Sequence, residues 1–379
     1  MPKFPSRRQV LQWQAAGTLA ALYGCGGNKE AMSTPAPNSP KAAGYRMPAE
    51  TALHELTFMQ WPMATDVYKG KKNLASVQQS IAKIARTIAK FEPVVMLGPQ
   101  SEKSAIAEAT NATVEHWDIN TNDLWCRDSG PTFVQNTDGS LAIVDMNFNG
   151  WGQAQRFDHD GVIARKIAER MELPLFNAGI VGESGGLDFD GTGVIMAHES
   201  SWIDNRRNNK VDRDTIEKHL LDSLGAHKMI WSPGLAGHDI TDFHIDSLAR
   251  FVKPGVVLIQ LPEQLNPYDP FSKAAFETYE TLKKATDLDG NPLELIVLPE
   301  PQNIRSQEEE FVASYINYYT CNGAVISAEF GDDKADLQAR ATLGYLFPDR
   351  EVVMLNIDPI GENGGGIHCA TKQQPAIKV

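Results

Sequence analysis

The sequence predicts a closed, pseudo-symmetric α/β body built from ββαβ-type modules in a single domain. Two recurring patterns carry that expectation. Turn dipeptides stand at Asp138-Gly139, Asp190-Gly191, Pro254-Gly255 and Asn322-Gly323, each beside short apolar β-like runs. Amphipathic helical patterns interleave with them over residues 73–91, 158–171, 212–224, 271–285 and 332–346, with apolar residues three and four apart. The turn glycines lie 52, 64 and 68 residues apart, too irregular for a fixed-period solenoid. No Pro- or Gly-rich linker divides this region, and modules that close on themselves share a site at their axis.

Each element has a local reason. In the first helical pattern Ile81, Ile84, Ala85 and Ile88 form one apolar face. Asp or Asn often stands at or just before a helix start, where its side chain can cap the free backbone N–H groups. The runs 132–134 and 141–144 flank Asp138-Gly139, and 194–196, 256–259 and 324–326 follow the other three turns. Asn-Gly and Asp-Gly favour two-residue hairpins because both central positions then take positive φ.

Residues 1–25 read as a targeting segment and stand outside the fold. Ser6-Arg7-Arg8-Gln9-Val10-Leu11 resembles a twin-arginine export signal, and Leu22-Tyr23-Gly24-Cys25 resembles a lipobox at which a lipoprotein is cleaved and acylated. The expected location is therefore exported, periplasmic or anchored to a membrane by a lipid on Cys25. Residues 26–43, rich in Gly, Ser, Pro and Asn, are expected as a disordered tether, with the folded domain spanning 44–379. Loss of the first 24 residues leaves 32 basic and 48 acidic side chains, a net charge of −16. That balance speaks against nucleic acid as a partner and suits a small cationic substrate. The composition, 42% apolar and 22% charged, is that of a globular protein, and an oligomer is compatible with it. Cys25, Cys126, Cys321 and Cys369 show neither CxxC nor zinc-ligand spacing.

Four segments carry the chemistry. Near the end of the chain, Gly364-Gly365-Gly366 precedes His368 and Cys369. Glycines let a ligand approach the backbone closely, and a cysteine is a strong nucleophile once its thiolate forms; equally, a free cysteine is commonly a small buried hydrophobe. His368, on the opposite face from Cys369, is the structural one of the two. The segment 122–131 brings Trp125, Arg127 and Asp128 together, with an Arg127–Asp128 ion pair as the ordinary expectation. Glu183 precedes the flexible Gly185-Gly186 and could serve as a turn cap. On a strand, Asp242, His244 and Asp246 would share one face, which fits a metal site, a catalytic edge or a solvated surface.

Together these segments resemble the agmatine deiminase and bacterial peptidylarginine deiminase family of guanidino-group-modifying enzymes. The likeness runs from about Gly44 to Pro375 and includes Gln60-Trp61-Pro62, residues 122–133, Phe148-Asn149-Gly150-Trp151-Gly152, Glu183 with its glycines, His244-Ile245-Asp246 and 364–369. The resemblance implies a five-bladed α/β propeller, hydrolytic deimination and no cofactor or metal. It makes Cys369 the nucleophile, His244 the general acid/base and Glu183 the group that orients that histidine. Asp128 and Asp246 would grip the guanidinium, with Trp125, Asp242, Gly366 and Trp61 also on the substrate-binding side. A guanidinium is planar and always charged, so paired carboxylates can hold it by charge-assisted hydrogen bonds over the sulfur.

The family pattern is broken where it would recognise the far end of agmatine. Ile240 replaces a glutamate, Asp242-Phe243 replaces Asn-Gly, and Asp188 replaces a histidine. Agmatine therefore competes with free arginine and peptidylarginine as the expected substrate, and Arg156 is a candidate partner for a carboxylate. A metallohydrolase built on Asp242, His244 and Asp246, or a guanidine-binding lipoprotein, would be the reading from another class.

Overall fold

The computed structural model describes residues 39–63, 67–68 and 71–377. The export signal and the lipobox at Cys25 lie outside the described residues.

Among the described residues sixteen strands form five small sheets. In chain order they are β1 (His54–Gln60), β2 (Val94–Gly98), β3 (Glu115–Asp118), β4 (Thr132–Gln135), β5 (Leu141–Asp145), β6 (Leu175–Asn177), β7 (Leu187–Phe189) and β8 (Val194–His198). Then follow β9 (Lys228–Ser232), β10 (Ala249–Lys253), β11 (Val256–Leu261), β12 (Glu294–Pro299), β13 (Tyr319–Cys321), β14 (Ala324–Ala328), β15 (Glu351–Leu355) and β16 (Thr371–Pro375). In four modules an antiparallel hairpin is followed by a helix and a strand parallel to the second hairpin strand. The fifth is assembled from both ends of the described chain: β16 pairs antiparallel with β1, and β1 pairs parallel with β2. This is the five-module α/β propeller that the resemblance implied.

The five crossover helices are α1 (Lys71–Ile88), α2 (Ile163–Met171), α3 (Arg213–Leu224), α4 (Pro270–Leu282) and α5 (Asp333–Leu346). Asp212, Asp269 and Asp332 cap α3, α4 and α5, each accepting a backbone N–H of the first turn. Strands β2, β5, β8, β11 and β14 are buried along their whole length. Their near-continuous apolar runs follow from burial on both faces.

Three expectations are corrected. Pro254-Gly255 and Asn322-Gly323 are two-residue connections, but the loops at Asp138-Gly139 and Asp190-Gly191 are longer, and in all four only the glycine of the dipeptide takes positive φ. Residues 242–246 do not form a strand. Asp242 and Phe243 have φ of 59° and 66°, Ile245–Ser247 is a 3₁₀ turn, and the strand begins at Ala249. The tether ends sooner than residue 43, because Lys41 docks on the end of α3, donating its N–H to Asp222 O (3.0 Å) and its Nζ to Ala226 O (2.6 Å).

Asp212→Ala and Asp332→Ala should each cost about 1 kcal/mol. Truncation after Ala370 removes β16 and bares the edge of β1, so it should abolish the cooperative transition. Thermal unfolding distinguishes the two: a small shift for the caps, no single transition for the truncation.

Candidate active site

Each module sends a polar side chain to one place from the segment just before its inner strand. Asp128 lies in the helical turn Cys126–Ser129 before β4, and Glu183 before β7. His244 and Asp246 precede β10, Asn317 precedes β13 and Cys369 precedes β16. The inner strands neighbour one another, β7 against β10 and β16 against β4, so these segments converge.

Gly185 marks the point of convergence. A Cβ there would lie 2.7 Å from Asp128 Oδ1, 2.7 Å from His244 Nδ1 and 3.2 Å from Asp246 Oδ2. Any side chain at this position would fill the space these three groups share. His244 Nε2 lies 3.3 Å from Glu183 Oε2, which leaves Nδ1 facing Asp128 Oδ1 at 3.7 Å. Glu183 is held in turn by Arg207, whose Nε donates to both carboxylate oxygens at 2.9 and 3.0 Å. Asp128 accepts from Trp151 Nε1 (2.9 Å) and Gly185 N (3.2 Å).

On the other side, Cys369 Sγ lies 3.5 Å from Asp246 Oδ2 and accepts from Asn317 Nδ2 at 3.1 Å. Asp246 Oδ2 also meets His368 Nδ1 (2.8 Å), whereas the buried Oδ1 has no hydrogen-bond partner among the described residues. His368 Nε2 reaches Glu50 Oε2 (2.8 Å), and Glu50 takes further bonds from Arg127 and Arg250. An arm at the start of the described chain thereby anchors the nucleophile's neighbour.

The charges are strongly perturbed. Burial, with the nearby Asp246 and Glu183 carboxylates, lifts Asp128 to about 6 against the opposing pull of His244. Burial alone would lower His244, but Asp128 and Glu183 override it and raise the imidazole to about 9. Asp246 is held below the ordinary carboxylate range despite its burial, by its bond to His368. Burial and then the Asp246 and Asp128 charges push the Cys369 thiol well up. Without a cation the sulfur stays protonated beside two carboxylates; a cation seated there would lower it.

A family profile described as Porphyromonas-type peptidyl-arginine deiminase matches residues 46–375. The chain belongs to this family. The agmatine deiminase of Pseudomonas aeruginosa (strain LESB58) is 33% identical over 370 residues, covering 91% of this chain and 99% of that one. That of Ectopseudomonas mendocina (strain ymp) is 34% identical over 364 residues, covering 89% and 97%. The solved agmatine deiminase of Enterococcus faecalis superposes with a TM-score of 0.83 at 29% identity, over 89% of this chain and 98% of that one.

Within this family member, Cys369, His244, Glu183, Asp128 and Asp246 are brought together. Trp125 borders them, its ring filling the space a Cβ on Gly365 would need. Two expected substrate-binding residues, Asp242 and Trp61, are placed otherwise. Asp242 is fully buried and bound by Arg206, Arg207 Nη1 (2.8 Å) and Gly237 N (2.8 Å), because its left-handed backbone turns it to the arginines. Trp61 is a core residue whose Nε1 donates to Glu102 (3.2 Å). Gly366 makes room for Asn317, whose Oδ1 would lie 2.5 Å from a Cβ there.

Other side chains also depart from expectation. Arg127 pairs with Glu50 (2.6 Å) rather than Asp128. Arg156 pairs at the surface with Asp158. Asp188 accepts from Phe251 N (2.6 Å) and sits 3.4 Å from Arg250 Nε. Burial pushes the Cys126 thiol to about 12, the state of an inert core cysteine. Asn317, Arg207 and Glu50 were not singled out from the sequence. Asn317 had one available signal: it occupies the same pre-strand position in its module as the others do in theirs.

His244 should titrate near pH 9 by NMR, and Glu183→Gln should move it toward 6.5. Because the folded value is raised, its contribution to stability is full below about pH 6.5 and is lost as pH rises through about 9. A His244 resonance that titrates near 6.5 in both proteins would reject the assigned coupling.

Proposed function

We propose that this protein hydrolyses the guanidino group of agmatine, giving N-carbamoylputrescine and ammonia through a covalent amidino-thioether on Cys369. The observation that carries the reading is the convergence of buried Asp128, His244 and Asp246 on Gly185 with Cys369 Sγ 3.5 Å from Asp246, one Asp246 oxygen having no hydrogen-bond partner among the described residues. That arrangement is complementary to a planar cation. The relatives' agmatine deiminase activity supports deimination as the reaction.

The guanidinium lies between Asp128 and Asp246, which fix its carbon against the sulfur. Its charge stabilises the Cys369 thiolate, the thiol proton passing to solvent as the cation is seated, and the thiolate attacks. Imidazolium His244 then gives its proton to the departing ammonia. Water, deprotonated by His244, hydrolyses the adduct. Glu183, clamped by Arg207, keeps the imidazole oriented throughout.

One observation favours a second substrate. Asp242 is committed to Arg206 and Arg207, and Phe243 stacks on His198 and packs against Phe271. Neither offers a carboxylate to the distal amine of agmatine, so free arginine or an arginine peptide, giving citrulline, is the alternative. Export and lipid attachment at Cys25 belong to the same proposal, supported by the Arg7-Arg8 and Leu22–Cys25 motifs. The metallohydrolase reading loses its basis in geometry, since Asp242 does not share a face with His244 and Asp246.

Ammonia release should be measured on agmatine, free arginine and a C-terminal-arginine peptide, with and without EDTA. Turnover on one of them and indifference to EDTA is the expected result; chelator-sensitive turnover would reject the cysteine mechanism. Cys369→Ala should fold normally and lose more than about a thousandfold in kcat. Asp128→Asn and Asp246→Asn should each lose about a hundredfold or more in kcat/KM. The kcat/KM profile should rise through about pH 6 as Asp128 ionises and fall through about pH 9 as His244 deprotonates. A profile flat across pH 6 would remove Asp128 from the clamp.

A further inference from the structure

The side chain of Asn317 holds the nucleophile from both ends. Its Nδ2 donates to Cys369 Sγ (3.1 Å) and its Oδ1 accepts from Cys369 N (3.2 Å). Its backbone O accepts from His368 N (3.1 Å), and Nδ2 also lies 3.4 Å from Asp246 O. Asn317 is 2% exposed, and the chain leaves it room by having glycine at 366. Among the described residues it is the one side chain that donates to this sulfur. The Gly366 backbone also favours the thiolate, whereas Asp246 is an acceptor that opposes it.

We propose that Asn317 is a catalytic hydrogen-bond donor that stabilises the Cys369 thiolate chiefly when it departs from the covalent adduct. This rests on Cys369 being the nucleophile. The two thiolate steps face different electrostatics. On attack, the sulfur's electron pair forms the C–S bond to a carbon that carries the guanidinium charge, so substrate and protein both favour the anion. The C–N bond then breaks, with the His244 proton leaving on ammonia, and a cationic amidino-thioether remains.

Water adds to that carbon and passes a proton to His244. The C–S bond then breaks, its electron pair returning to sulfur, while the last proton leaves the new carbonyl group for solvent or ammonia. The product is a neutral urea. The thiolate is therefore regenerated beside Asp128 and Asp246 after the substrate's positive charge has gone. Asn317 Nδ2–H is then the neutral side-chain donor in place, beside the Gly366 backbone, and a donor preorganised for an anion acts where the anion is least compensated.

The test compares Asn317→Ala and the volume-retaining Asn317→Leu with the wild type, using whichever substrate releases ammonia. Quenched steady-state samples are read by intact mass for substrate-derived adduct on Cys369. The pH dependence of iodoacetamide alkylation gives the free thiol's titration. The proposal expects kcat to fall about tenfold or more, with a smaller fall in kcat/KM, because adduct breakdown follows the irreversible loss of ammonia. It also expects a larger adduct fraction and a thiol that titrates higher than in the wild type. Equal falls in kcat and kcat/KM with no extra adduct would overturn it and leave Asn317 as a loop-positioning residue. An unchanged kcat would overturn it as well. Absence of any adduct in turning-over wild-type enzyme would instead overturn the cysteine mechanism, which separates the two failures.

Discussion

The constraint on which this structure depends is uncompensated negative charge at the axis of the propeller. Asp128, Asp246 and Glu183 are buried near one another, and burial of carboxylates is costly unless partners offset it. Among the described residues Glu183 has Arg207, Asp246 has His368, and Asp128 has only His244 and two neutral donors. The result is a site one cation short, with an unpaired oxygen on Asp246 and a thiol that stays protonated. A guanidinium supplies the missing charge, the hydrogen-bond donors and the condition for forming the thiolate together.

Holding that imbalance needs a rigid surround. The five inner strands place the acidic groups from separate modules, so no two depend on one flexible loop. Glu50 gathers Arg127, Arg250 and His368 behind the site, and those three partners keep its carboxylate well below the ordinary range despite burial. Closure of β16 on β1 ties Cys369 to the same frame. Nucleophile and clamp therefore lie 241 residues apart in sequence yet are held by adjoining strands, with Arg127 N bonded to Cys369 O at 3.0 Å.

The repeating pattern was legible because each module is built from local signals. Asp212 and Asp332 cap their helices as their positions suggest, and the apolar runs of β5, β8, β11 and β14 are buried throughout. The turns stand where the dipeptides mark them and two of the four have the expected length, but the backbone type differs, since only the glycine of each dipeptide takes positive φ. The stretch 242–246 misled because alternation of polar and apolar residues also arises in a turn, where Asp242 and Phe243 take left-handed backbone. Asp242 was thereby assigned to substrate, although Arg206 and Arg207 hold it.

By itself, the sequence determined the module order and the Asp-capped starts of α3 and α5, because capping and apolar periodicity are local. Residue type and spacing left Cys369, His244, Glu183, Asp128 and Asp246 open to several readings, and their roles came from the resemblance of the ordered segments to the deiminase family. Only the tertiary structure decided which polar groups share an environment, because that depends on strands brought together from distant parts of the chain. It placed Asn317 on the sulfur, Arg207 on Glu183 and Glu50 behind His368, and it took Trp61 and Asp242 away from the substrate. Hydrogen bonds act over about 3 Å, and that proximity is set by how the propeller closes.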